Sequence, residues 1–197
     1  MNLKKLILFL TLPLYVIDQI TKWWVVFEFP EQPLGEYGRV IELTPWFHII
    51  RVHNQGVAFG MGNGTAWAPI VFFFIPLLAL VMLRVFWKKG VFNNQPAIIA
   101  LALLLAGIFG NFTDRVFQGF FLKAYELESF WTRLSKGYVV DFISVKLPGY
   151  EKISPASGGW WPTFNVADSC VCVAAALLFI SGIIEERKQK KSAVVKD

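Results

Sequence analysis

The sequence predicts a mainly α membrane protein whose helices cross the bilayer four times, folded as a single domain over residues 1–197. Three observations carry this prediction. Hydrophobic residues make up 55% of the 197 positions, and the mean hydropathy of +0.51 is high for a soluble domain of this size. Four apolar runs are long enough to span a bilayer. The net charge of +5 comes from basic residues at the ends of those runs, where positive-inside topology puts them. They form no single patch suited to nucleic acid, which is excluded as a partner.

The first run follows Lys4-Lys5 and ends at Phe27. It starts like a secretory signal. However, it is too long, has no small-x-small cleavage site and is followed by three more runs, so residues 6–27 read as the first transmembrane helix. Asp18 and Lys22, four apart, share one face. They form either a structural ion pair near the outer end of the helix or an anchor for catalytic loops; direct catalysis by Asp18 is a third reading.

Residues 28–65 form the first outer loop. Glu28 to Gly35 is a turn-rich linker, and Val40 to Asn54 has the β-branched and aromatic content of short strands. Asn54-Gln-Gly56 opens a glycine-containing turn, where Asn54 either caps the turn or hydrogen-bonds substrate backbone. No Asp, Glu, Lys or Arg occurs from Val52 to Leu83. The second helix takes the later part, residues 66–86, with Pro76 tolerated where neighbours satisfy the freed carbonyl. Arg84, Lys88 and Lys89 follow, then a polar loop to Pro96.

The third helix covers residues 97–115. Gly107 and Gly110 suit close helix packing in lipid, and Asn111, Asp114 and Arg115 lie on one face. That cluster is either an interfacial cap or a wall of the site, with Asn111 and Arg115 holding polar groups of substrate. In the second outer loop, 116–164, aromatics from Phe120 to Trp131 alternate with charges, which predicts an amphipathic helix on the membrane surface. Tyr138–Val145 reads as a short strand carrying Asp141. Trp160-Trp161 reads as an interfacial pair.

The last helix covers 165–184. Asn165, with Asp168 three residues later, has the form of a helix cap. Cys170 and Cys172, two apart on a helix, face different ways and read as small buried residues rather than a disulfide or metal pair. Lys4-Lys5, the basic 84–96 loop and the basic tail from Arg187 mark one side as cytoplasmic. Both termini therefore lie inside, and every candidate site residue falls near the outer face.

An aspartate costs roughly 2.5–3.5 kcal/mol at the centre of a spanning helix, so Asp141 and Asp168 beside apolar segments suggest a site. Two carboxylates sharing one space titrate as a unit. One can act as base on a water while the other donates to a scissile carbonyl, as in an aspartyl-protease dyad. Ser169 lacks a paired base, and His48 and His53, five apart, do not suit a metal site on one helix face. A proton-coupled carrier or a non-enzymatic assembly factor is the alternative.

Five motifs in order, Asp18-Gln-Ile-Thr-Lys22, His53 to Gly60, Gly110 to Arg115, Val139 to Ile143 and Phe164 to Ser169, resemble lipoprotein signal peptidase (signal peptidase II). The resemblance covers most of the chain. It implies four transmembrane helices, a small extracytoplasmic β-cradle and a short interfacial helix in the bacterial cytoplasmic (inner) membrane. It implies cleavage just before a diacylglyceryl-modified cysteine, with Asp141 and Asp168 catalytic. Asn54, Gly56, Asn111, Arg115 and Asn165 would bind substrate or inhibitor, and Asp18, Lys22, Gly107 and Asp114 would support them. It also implies a monomer in contact with membrane lipid, inhibited by globomycin-type cyclic peptides, with no metal or organic cofactor. The sequence departs from the family pattern in two stretches on the substrate side, Val116–Tyr138 and Val145–Thr163, which are longer than the family's.

Overall fold

The structure, a computed structural model, describes residues 3–30, 38–56, 65 and 67–194. It is mostly helical, with one small antiparallel sheet. An N-terminal helical stretch runs from α1 (Leu3–Leu6) through a π-helical turn (Ile7–Thr11) into α2 (Leu12–Glu28). Pro13 accounts for the change of winding. It lacks the N–H that would continue the ladder, and the last donor before it, Leu12 N, bonds Ile7 O.

Among the described residues, three helices are long and apolar enough to cross a membrane by length and composition. They are Ala68–Lys88, Gln95–Phe121 and Val166–Lys191, with mean hydropathies of 2.5, 1.9 and 2.2. The first is α3 (Ala68–Lys88); the expected start at residue 66 lies outside the described residues. The second contains α4 (Gln95–Phe117), which begins before the expected residue 97. Asn94 caps it by accepting from Ala97 N at 3.1 Å, and Pro96 occupies a first-turn position where its missing N–H is no loss. The last, α6 (Val166–Val194), runs well past 184. Its polar end is carried on by Glu185–Lys188 and Glu186–Lys190 pairs at 3.1 and 2.6 Å.

Helices α4 and α6 share the most extensive packing, around Ala100, Leu103, Ala106, Cys170 and Ala174. Gly107 and Gly110 make that approach possible. A Cβ on Gly107 would stand 2.6 Å from Val171 Cγ2, and one on Gly110 would stand 2.8 Å from Ala167 Cβ. Cys170 is buried as expected, but Cys172 is exposed, because two residues along a helix turn it to the opposite flank.

The expected strands form one sheet in the order β1 (Ile41–Thr44), β2 (Phe47–Asn54) and β3 (Val139–Val145). Strand β3 buries Val140 and Phe142 with Val25, Phe29, Ile49 and Leu122, at the end of α2. Alternation along the strand turns Asp141 to the other face. The β2–β3 register shifts between Ile49 and Val52, next to the Val52–Asp141 pair. Such irregularities re-aim a side chain.

The stretch from 116 to 138 corrects one expectation. In place of one amphipathic helix it contains 3-10 turns at Gln118–Phe121 and Lys123–Tyr125 and a short α5 (Phe130–Ser135). Backbone folds against backbone. A Cβ on Gly137 would run into Arg115 O, and one on Gly119 into Arg133 O, so the reversal needs glycine at both. The second long stretch extends the sheet through an isolated Lys146–Trp160 bridge. There the Trp160 ring packs tilted against His48 at 4.2 Å and Trp161 tilted against Tyr150 at 5.0 Å.

Candidate active site

The site forms where the C-terminal turns of α4, the N-terminus of α6, the sheet and the later half of α2 meet. Asp141 is 2% exposed. Its Oδ2 accepts from Asn54 Nδ2 at 2.9 Å and its Oδ1 from Asn165 Nδ2 at 2.7 Å. Burial raises its pKa to about 8, helped by the neighbouring Asp168 carboxylate and offset only in part by the Asn54 and Asn165 donors and Lys22. Asp168, half-buried in the first turn of α6, accepts from Asn111 Nδ2 at 2.8 Å and from Asn165 N at 3.2 Å.

Asn165 joins the two acids. Its Oδ1 accepts from Asp168 N at 2.8 Å while Asp168 returns the bond, which is the reciprocal cap expected from the sequence. Its fully buried amide reaches Asp141 as well. The cap of α6 and the hold on Asp141 are therefore one arrangement. Asn54 also does two things: its Oδ1 accepts from Gly56 N at 3.0 Å, closing the turn, and its amide holds Asp141.

Behind the acids lies a buried ionic group. Lys22, 0% exposed, spends its three donors on Asp18 Oδ2 at 2.9 Å, Asp114 Oδ2 at 3.0 Å and Asn111 Oδ1 at 2.9 Å. Each acid also accepts a backbone N–H from a site-bearing element. Asp18 Oδ1 takes Ala167 N at 2.8 Å, and Asp114 Oδ2 takes Val140 N at 3.0 Å. Those are the residues just before Asp168 and Asp141. Gln19, which the sequence did not single out, donates to Asp18, Asp114 and the Gly110 carbonyl.

Arg115 lies within electrostatic reach of Asp141 and Asp168, but its hydrogen bonds go elsewhere. Its guanidinium holds the Gly56 carbonyl at 2.8 Å and the Gln55 carbonyl at 3.4 Å, and it lies over the Phe72 ring. It thus shapes the loop after β2. Val57–Gly60, the rest of that motif, lies outside the described residues.

His53 is held on two sides. Its Nε2 accepts from Arg51 Nε at 2.9 Å, and its ring stacks on Tyr138 at 3.9 Å. Burial and the Arg51 charge lower its pKa to about 3, so it is neutral at physiological pH and its Nε2 is already engaged. Sequence reading missed Arg51, which ties β2 to the end of α2 through the carbonyls of Val26 and Phe29 at 3.0 and 2.8 Å. The signal was present: a charge two residues before His53 in a strand shares its face.

Comparison with known proteins gives consistent matches. The family described as Signal peptidase (SPase) II matches residues 10–184. A protein named lipoprotein signal peptidase from Halalkalibacterium halodurans is 32% identical over 91% of this chain and 93% of its own. One of the same name from Bacillus pumilus is 31% identical over 89% and 91%. Two solved structures titled as bacterial membrane enzymes superpose with TM-scores of 0.64 and 0.57 at 27% and 28% identity. They cover 93% and 89% of this chain and 90% of each of their own chains.

Proposed function

The chain belongs to the signal peptidase II family, enzymes that cleave signal peptides from prolipoproteins, and from that premise we propose that Asp141 and Asp168 make the cut as an aspartyl dyad. The observation that carries this reading is their convergence on Asn165 from two different elements, with Asp141 deeply buried and its pKa raised by that burial. Two close carboxylates that share a proton supply both a base and an acid.

Asp168, the more accessible carboxylate, takes a proton from a water as its oxygen adds to the scissile carbonyl carbon. Asp141 gives its proton to the carbonyl oxygen. The resulting diol collapses: the proton on Asp168 passes to the leaving nitrogen, the C–N bond breaks, and a diol hydroxyl returns its proton to Asp141. The products are the signal peptide's new carboxyl end and the new amino group of the cysteine. Asn54, Asn111 and Asn165 orient the two acids, and Arg115 with Gly56 shapes the substrate wall.

The finer substrate reading follows from the same resemblance. The substrate carries a diacylglyceryl cysteine and enters from the side, its signal helix in the bilayer. The α1–α2 stretch is the fourth crossing; its buried charges are neutralised within the Lys22 cluster. Both termini lie on the cytoplasmic side of the bacterial inner membrane. The protein acts as a monomer, and globomycin-type cyclic peptides occupy the same cleft.

The test is cleavage of a diacylated prolipoprotein by purified protein in lipid. Asp141→Asn and Asp168→Asn should each lower kcat by at least about 1,000-fold while the fold is kept. Full activity in either variant defeats the assignment.

A further inference from the structure

The stretch from 116 to 138 is rooted in the site at both ends. It leaves directly from Arg115 and returns at Tyr138, three residues before Asp141. Its roots are stiff. Gly137 packs on the Arg115 backbone, and Tyr138 is buried against His53 and Gln118. Its tip is the opposite. Leu127 is 101% exposed, Trp131 74%, Phe130 59% and Phe121 54%, an apolar group left largely open.

The rings also link into a surface. Trp131 meets Phe130 and Phe130 meets Phe120, both at 5.2 Å. Phe121 meets Trp23 at 4.6 Å, and Trp23 meets Phe27, itself 78% exposed at the end of α2. Arg133 and Lys136 lie over Phe120 and Tyr125 at 5.0 and 5.2 Å, with Lys123 exposed nearby in sequence. Glu126 and Glu128 flank Leu127, so the rings are edged by charges of both signs, and aromatic rings with charged rims settle at the head-group level of a bilayer. Continuity selects the bilayer as occupant. The apolar segment Gln95–Phe121 ends inside this very stretch, so its aromatics start where the chain leaves the hydrocarbon.

We infer that residues 116–138 are a membrane-surface float: their exposed aromatics rest in the head-group layer of the bilayer the chain crosses, and through the Arg115 and Tyr138 roots they fix the depth of Asp141. The inference rests on the membrane-protease reading above. Depth matters because the scissile bond of a lipid-anchored substrate also lies at a fixed depth, and a misplacement of about 1 Å can cost about 100-fold in rate.

Two measurements test it. In vesicles of phosphatidylcholine brominated near the head group, the emission that Trp131 contributes (parent minus Trp131→Phe) should be quenched more strongly than with bromine near the chain ends. No quenching by either lipid overturns the inference. In the second, Leu127→Ser combined with Trp131→Ser should lower kcat/KM roughly tenfold in bilayers and leave it unchanged in detergent micelles, where there is no plane to register against. An equal loss in both media overturns the inference, since the stretch would then touch substrate directly. No loss in bilayers overturns it too. Absence of cleavage by the parent protein would sink the protease assignment and leave the quenching result standing.

Discussion

Asp141 and Asp168 sit on elements of different kinds, a strand and a helix start, yet one device fixes both. In each case the backbone N–H of the preceding residue is held by a buried acid, Asp114 for the strand and Asp18 for the helix. Lys22 joins those two acids. The surroundings then diverge. Asp141 is enclosed, with both oxygens on side-chain amides; Asp168 is half-buried and takes one amide and one backbone N–H. In the dyad we propose, equal anchoring with unequal enclosure divides the tasks between two like groups, proton holder and base. A buried ionic cluster is weak evidence for stability; here its visible result is the position of two backbone segments.

The largest effects should expose that inequality. Asp141→Glu must fit an extra methylene into a closed space, at a cost of about 1–3 kcal/mol. It should lower kcat by about 1,000-fold, as much as removing the acid does. Asp168→Glu has open space on one side and should keep within about 100-fold of parent activity. Equal losses in the prolipoprotein assay would mean that both acids are equally confined.

Lys22→Met should come next. It strands Asp18 and Asp114 with no cation, a change that typically costs about 3–5 kcal/mol in a buried pair. Both site elements then lose their common tie, so kcat should fall roughly 100-fold with KM little changed. Thermal unfolding in detergent, read beside the kinetics, separates the two parts. A variant that unfolds earlier yet keeps its kcat would show that the cluster stabilises without positioning.

Asn165→Ala is expected to be milder. It removes the cap of α6, worth about 0.5–2 kcal/mol, and one of two amides on Asp141. Asn54 still holds the other oxygen. Loss of a donor to the carboxylate moves the Asp141 pKa up from about 8. The alkaline limb of the kcat/KM profile should therefore shift to higher pH, and a limb that stays put would disconnect Asn165 from Asp141.

The helices were legible because their apolar runs are long, and the strands because Val40–Asn54 and Tyr138–Val145 are rich in β-branched and aromatic residues. The Asp18–Lys22 pair was legible as a four-residue spacing, and the α6 cap as an Asn with an acid three later. Two things were not. That Asp18 and Asp114 hold backbone N–H groups depends on which elements meet in space, and a bond to Ala167 N, 149 residues away, leaves no local pattern. The fold of 116–138 was misjudged because alternating aromatics and charges also suit a surface helix. The Gly119 and Gly137 contacts that prevent one are backbone-to-backbone and invisible in composition.

The smallest expected effect is a slope. In the unfolded chain Asp141 loses its proton near the ordinary value of 3.8, whereas in the fold it keeps it to about 8. Between those values the folded state binds more protons, so this residue's contribution to stability falls as pH rises. Asp141→Asn does not titrate there. It also sets one amide N–H₂ against a donor, but that cost does not vary with pH. The unfolding midpoint of the variant relative to the parent should therefore climb between pH 5 and 8 and level off above. A flat difference would put the folded-state proton elsewhere, and the roles of acid and base assigned to Asp141 and Asp168 would have to be exchanged.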